Sequence, residues 1–131
     1  MSTDENNPRD WLSASRKRLR AADVLHASEG VTEAGIELLQ EAAERALKAF
    51  LIANGWELRR IHDLGALVVD AGMFDERFRA FEDAADSLTD QFWAQHYPGG
   101  DLEGLGHDYP DLREAVGRMF EIVEKAVYGE A

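Results

Sequence analysis

From Ile36 to Phe50 the apolar residues Ile36, Leu39, Ala43, Ala46, Leu47 and Phe50 return every three or four positions. That is the period of an α-helix, not the two-residue alternation of a half-buried strand. Ala42, Ala49, Leu51 and Ile52 widen the band beyond a single stripe, which predicts a helix packed on more than one neighbour. Thr32 offers a capping oxygen at its start, and Asn54-Gly55 a stop at its end. No segment elsewhere shows a convincing strand alternation, so the neighbours are expected to be helices too.

Four such neighbours can be placed. Asn7 followed by Pro8 reads as an N-cap with proline at the first helical position. Leu12, Ser15, Leu19, Ala22 and His26 then form one stripe, which Gly30 closes near Ser28. After a linker over residues 56–61, a third helix is expected over residues 63–71, with Gly72 as its stop. Asp75 caps a fourth, carrying Phe78, Phe81, Ala85, Leu88 and Phe92 at helical spacing and ending before "HYPGG" at 96–100. A loop over residues 99–106 follows. The last helix starts near Asp108 or Tyr109, with Pro110 in its first turn and Leu112, Val116, Met119, Phe120, Val123 and Val127 on its apolar face. Short connections favour antiparallel neighbours. The expected fold is all-α, an up-and-down helical bundle of about five helices with a four-helix-bundle core. Residues 1–8 read as a polar tail and residues 9–128 as the domain.

At 131 residues, 45% apolar and 31% charged, the chain is one domain with enough apolar surface for a core. It has no cysteine, which excludes disulfides, thiolate metal sites and a cysteine nucleophile. The polar, acidic start reads as neither a signal nor a transit peptide. No apolar run approaches the roughly 20 residues a membrane span needs. A cytoplasmic location and no membrane association are the expectations. The formal charge of −12 disfavours general nucleic-acid binding. Five of the fourteen basic residues, however, fall within twelve positions: Arg9, Arg16, Lys17, Arg18 and Arg20.

Arg9, Arg16 and Arg20 share a helix face beside Lys17. Guanidinium forks suit phosphate, the same face would attract an acidic partner, and a solvated face paired with the protein's own acids is the third reading. His62-Asp63 is the most suggestive pair. Asp63 can cap the third helix, while His62 either lines a shared cleft or makes a hydrogen bond at the helix junction. Glu41 with Arg45 and Glu44 with Lys48 are i,i+4 pairs placed on the wet side of the second helix. Asp23-x-x-His26 has a metal-site spacing but no second copy, so no metal site and no cofactor are expected, and His26 reads as a satisfied histidine at the edge of its stripe. His107-Asp108 has no partner in register. The 99–106 loop lacks the spacing and the lysine of a phosphate cradle. Ser13, Ser15, Ser28 and Ser87 have no histidine near in sequence to activate a nucleophile. Trp56 beside Arg59 and Arg60 offers a stacking surface for a base. Otherwise it reads, like Trp11, Phe78, Phe81, Phe92, Trp93 and Tyr97, as a core or dimer contact.

Four stretches in this order resemble the HEPN superfamily, small helical bundles often encoded beside minimal nucleotidyltransferases. "DWLSASRKRLRAAD" (10–23) looks like the family's opening helix. "LQEAAERALKAFLIANG" (39–55) is similar to its central motif, matched by Gln40, Ala42, Glu44, Arg45, Ala46, Lys48 and Ala49. "HDL" (62–64) follows, and "HYP" (96–98) stands where members usually have Arg-Tyr-Pro. The resemblance implies a homodimer that binds a nucleotide, RNA or another polyanion, or that pairs with a nucleotidyltransferase in a toxin–antitoxin-like or defence-type system. The contact residues would be Arg16, Arg20, Lys48, Arg59, Arg60, His62 and His96. Ribonuclease members carry an Arg-x(4–6)-His motif late in the bundle. Here the matching spacing is Arg20 to His26, in the first helix, where about 600° of rotation separates the two side chains. A non-catalytic domain is therefore expected. The alternatives are a metal-independent ribonuclease with His62 or His96 as general acid/base, and a pure interaction or scaffold module.

Overall fold

The computed structural model describes residues 5–57, 59, 62–96 and 105–129, with the backbone alone for 92–96 and 105–108. Among them are five α-helices and one 3₁₀ segment, and no strand. The helices are α1 (Pro8–Glu29), α2 (Glu33–Ala53), α3 (Leu64–Phe74), α4 (Glu82–His96) and α5 (Leu105–Tyr128), with the 3₁₀ segment Glu76–Phe81 leading into α4. The chain is thus an all-α helical bundle.

Local chemistry sets most boundaries. Asn7 accepts a hydrogen bond from the Arg9 amide and Thr32 from that of Gly35, so α1 and α2 start with side-chain caps. Gly30 leaves α1 at φ 74° and Gly55 follows α2 at φ 88°, conformations that a side chain would strain. Asp63 caps α3 by accepting from the Ala66 amide. Gly72, expected as the stop of α3, lies inside it and is buried. A Cβ there would come 3.2 Å from Arg79 Cγ, so this glycine answers to packing. The helix stops three residues later at Asp75, whose extended backbone donates to the Ala71 carbonyl while its carboxylate caps the 3₁₀ segment.

Helix α2 touches each of the other four helices. Its neighbour α1 runs antiparallel to it: Trp11 lies by Lys48, Ser15 by Ala42 and Arg18 by Glu41. The buried Ser15 hydroxyl donates to the Ala42 carbonyl at 2.6 Å. Helix α5 is antiparallel to α1, with Tyr128 over Arg9, Glu124 on Arg16, and Arg113 on Asp23. The core holds Leu12, Leu39, Leu47, Leu51, Leu67, Phe78, Leu88, Val116 and Val123. Phe78 meets Phe50 at 4.4 Å and Phe81 at 6.2 Å between ring centres.

Helix α5 begins at Leu105, so Pro110 sits within it rather than in its first turn. The residue before a proline resists the helical region. Here that residue, Tyr109, is buried, stacked on the His26 ring at 4.4 Å, and its hydroxyl donates to the Ala22 carbonyl. Tertiary contact outweighs the local preference.

Candidate functional site

One turn after another, Glu37, Gln40, Glu41, Glu44 and Arg45 come to the same side of α2, as a 3.6-residue period requires. Opposite them stand His62 and Asp63, at the entry to α3, and Thr89 of α4. Together they enclose a hollow of about 530 Å³, the size range of small-molecule sites (roughly 300–1,000 Å³). Four carboxylates face one guanidinium and one imidazole.

Glu44 is the hub of this wall. It is 8% exposed, and Lys48, at 3%, donates to it from Nζ at 3.1 Å. The His62 Nδ1 lies 3.1 Å from each of its carboxylate oxygens, while the imidazole itself is 78% exposed. Lys48 Nζ also lies 5.3 Å from the centre of the Trp11 ring, which shields it from water. The pair read as solvent-facing in the sequence is therefore buried. An i,i+4 spacing says that two side chains meet, not that they meet in water, and α2 has neighbours on several sides.

The second pair also differs from its expected form. Glu41 turns its carboxylate to Arg18 of α1 at 3.1 Å, and Arg45 donates to the Glu41 backbone carbonyl at 3.2 Å. Burial, and behind it the nearby Arg18 guanidinium, pulls Arg45 below the ordinary arginine value. Thr89 donates to the Ala85 carbonyl, and the Gln40 side-chain oxygen is buried with no partner.

The other candidate residues do not converge here. Arg16 is paired with Glu124 and lies over the Phe120 ring; Arg9 lies over Tyr128. Arg9 and Arg16 of this face are thus turned toward α5 and engaged by the protein's own groups. Arg20, Lys17 and Arg59 are exposed. Trp56 is partly buried against the core. Arg60, the His96 side chain, Phe92, Trp93, Tyr97, the His107-Asp108 pair and the rest of the loop before Leu105 lie outside the described residues and side chains.

Asp23 does not share a ligand with His26. Arg113 grips it twice, at 2.6 and 2.9 Å, and that bidentate bond holds the Asp23 carboxyl below the usual range. His26 is stacked on Tyr109 with a buried, unpartnered Nδ1, so it is packed rather than satisfied by hydrogen bonds. Burial, then the Asp23 charge, pushes the Tyr109 hydroxyl up.

Sequence reasoning found Gln40, Glu44, Arg45 and Lys48 through the central motif and His62 and Asp63 through the triplet. It did not place them in one site, and it missed Glu37 and Thr89, which carry no motif and join only through the fold.

Among the described residues no helix is long and apolar enough to cross a membrane. Comparison with curated proteins and with solved structures returned no match. A family model described as HEPN domain matches residues 8–128.

Proposed function

The chain belongs to the HEPN domain family, and on that premise we propose that it is a non-catalytic binding module whose hollow receives a basic side chain of a partner protein. The observation that carries this reading is the lining: Glu37, Glu41, Glu44 and Asp63 against Arg45 and His62. Glu41 is turned to Arg18 and Glu44 is neutralised by Lys48, so an entering phosphate would still meet Glu37 and Asp63 against the Arg45 cation, in a protein of net charge −12. A guanidinium or ammonium would meet complementary carboxylate acceptors, Glu37 and Asp63 among them. Of the cations expected to contact a polyanion, Lys48 is buried on Glu44 and Arg16 is paired at the surface with Glu124. A nucleotidyltransferase, of the kind often encoded beside members of this family, is the partner that the resemblance implies.

Titration calorimetry against ATP, GTP, a short RNA and an arginine-rich peptide separates the readings. The peptide is expected to give heat that a Glu37→Gln/Glu41→Gln variant loses. Heat from nucleotide or RNA with none from the peptide would overturn the proposal.

A second reading, a metal-independent ribonuclease, is favoured by one observation. The Glu44 carboxylate holds His62 through Nδ1 while the imidazole stays largely exposed, as a general acid/base requires. RNA cleavage lost in His62→Ala would establish it; intact RNA after long incubation would remove it.

A further inference from the structure

Helix α3 buries Leu64, Leu67, Val68, Ala71 and Gly72 and turns another face outward. On that outer face Ala66, Val69 and Met73 follow one another at spacings of three and four, while Phe74, the last residue of the helix, is exposed about 100° further round. Val69 is 53% exposed, Met73 79% and Phe74 52%. Among the described residues two more large hydrophobics, Val24 and Tyr128, are exposed, but both lie on other helices. A contiguous apolar strip on one helix is the pattern that a partner covers, whereas scattered exposed residues need no explanation.

Its surroundings say what kind of partner fits. The strip's first residue, Ala66, follows by three positions the Asp63 that lines the hollow and caps this helix. Asp70 flanks it one turn beyond Ala66. At the far end the Arg77 guanidinium is held by Asp75 at 2.7 Å, and Arg79 is exposed. The charge met by an incoming segment near the hollow is negative, and the contact beyond it is oily.

We infer that the outer face of α3 docks an amphipathic, basic helix of a partner protein, with one cationic side chain of that helix seated in the hollow. This rests on the binding-module reading above and adds the surface that gives it specificity. Apolar anchors at three- and four-residue spacing lie along Val69 and Met73, as in other helix-on-groove recognition. The carboxylates at the strip's start fix which way the helix points.

Fluorescence anisotropy on the full chain tests this with three synthetic peptides: an amphipathic leucine/lysine-arginine helix, a fully polar peptide of the same charge, and the amphipathic helix with glutamate for its basic residues. The amphipathic basic peptide is expected to bind at least about tenfold more tightly than the polar one. A Val69→Ser/Met73→Gln variant, both positions being exposed, is expected to erase that difference and keep the polar peptide's affinity. A preference that survives the variant, or equal binding of the acidic helix, overturns the inference. If both basic peptides bind equally, the hollow reading stands and the strip fails; if neither binds, both fail. Sedimentation supplies the remaining outcome. A wild-type dimer split by the same variant would make a second copy the occupant and overturn the inference.

Discussion

The Glu44 carboxylate lies 3.1 Å from Lys48 Nζ and 3.1 Å from His62 Nδ1, and so ties a buried ammonium to an exposed imidazole across the loop between α2 and α3. Two short motifs, far apart in sequence, meet at one side chain. The Lys48 charge is stable in the interior because Glu44 neutralises it and the Trp11 face lies near it. His62, being exposed, adds orientation more than stability.

Glu44→Ala should therefore destabilise the protein by about 3 kcal/mol or more, since it strands a buried ammonium. Lys48→Met in the same background should recover most of that loss, because replacing both charges leaves nothing unpaired. Urea unfolding of the two single variants and the double variant measures the coupling. His62→Ala should cost less than about 1 kcal/mol.

The Asp23 and Arg113 clasp predicts a pH dependence. The folded Asp23 carboxyl is held below its ordinary value, so its contribution is fully present above about pH 4 and is lost as pH falls through the folded value. Both side chains are partly exposed, which limits the contribution to about 1 kcal/mol. Asp23→Asn should lower stability at neutral pH by that amount and flatten the acid limb of a stability profile followed by circular dichroism. An unchanged acid limb would mean that the clasp does not stabilise the fold.

Gly72→Ala should leave the fold unharmed and raise its stability by up to about 1 kcal/mol. Alanine inside a helix is favoured over glycine by roughly 0.5–1 kcal/mol. The atom it approaches, Arg79 Cγ at 3.2 Å, belongs to an exposed side chain that has to shift by only a few tenths of an ångström. A thermal melt decides the sign, and a lower midpoint would show that Arg79 is fixed in place.

Much of the bundle was legible because apolar spacing reports a helix directly. Leu12, Leu19 and Ala22 in α1, Ile36 to Phe50 in α2, and Leu112 to Val123 in α5 were assigned to faces that the fold buries. Glycine and proline misled where tertiary contact decided the outcome. Gly72 reads as a stop, yet it is a point of close approach. Pro110 reads as a helix start, yet the buried Tyr109 carries α5 through it.

Charge was legible as pairing but not as environment. Glu44 and Lys48 were paired correctly and assigned to water, because a spacing of four holds no information about what lies opposite. The hollow was beyond sequence for a related reason. Its wall joins α2 to residues on α3 and α4, and Glu37 and Thr89 acquire meaning only when those elements meet. The exposed strip on α3 hides in the same way, since a helix expected to end at Gly72 does not include Met73, and only the fold turns Val69 and Met73 to one outer face.

Helix α2 is both one wall of the hollow and the element against which every other helix rests. Filling the hollow and melting the bundle are therefore opposing equilibria that share one rod. An unfolded chain has no such wall, so a guest at a hundred times its dissociation constant would add about 2.7 kcal/mol to the free energy of denaturation. A shift in melting midpoint would thus report occupancy without a label and rank candidate guests before any of them is identified.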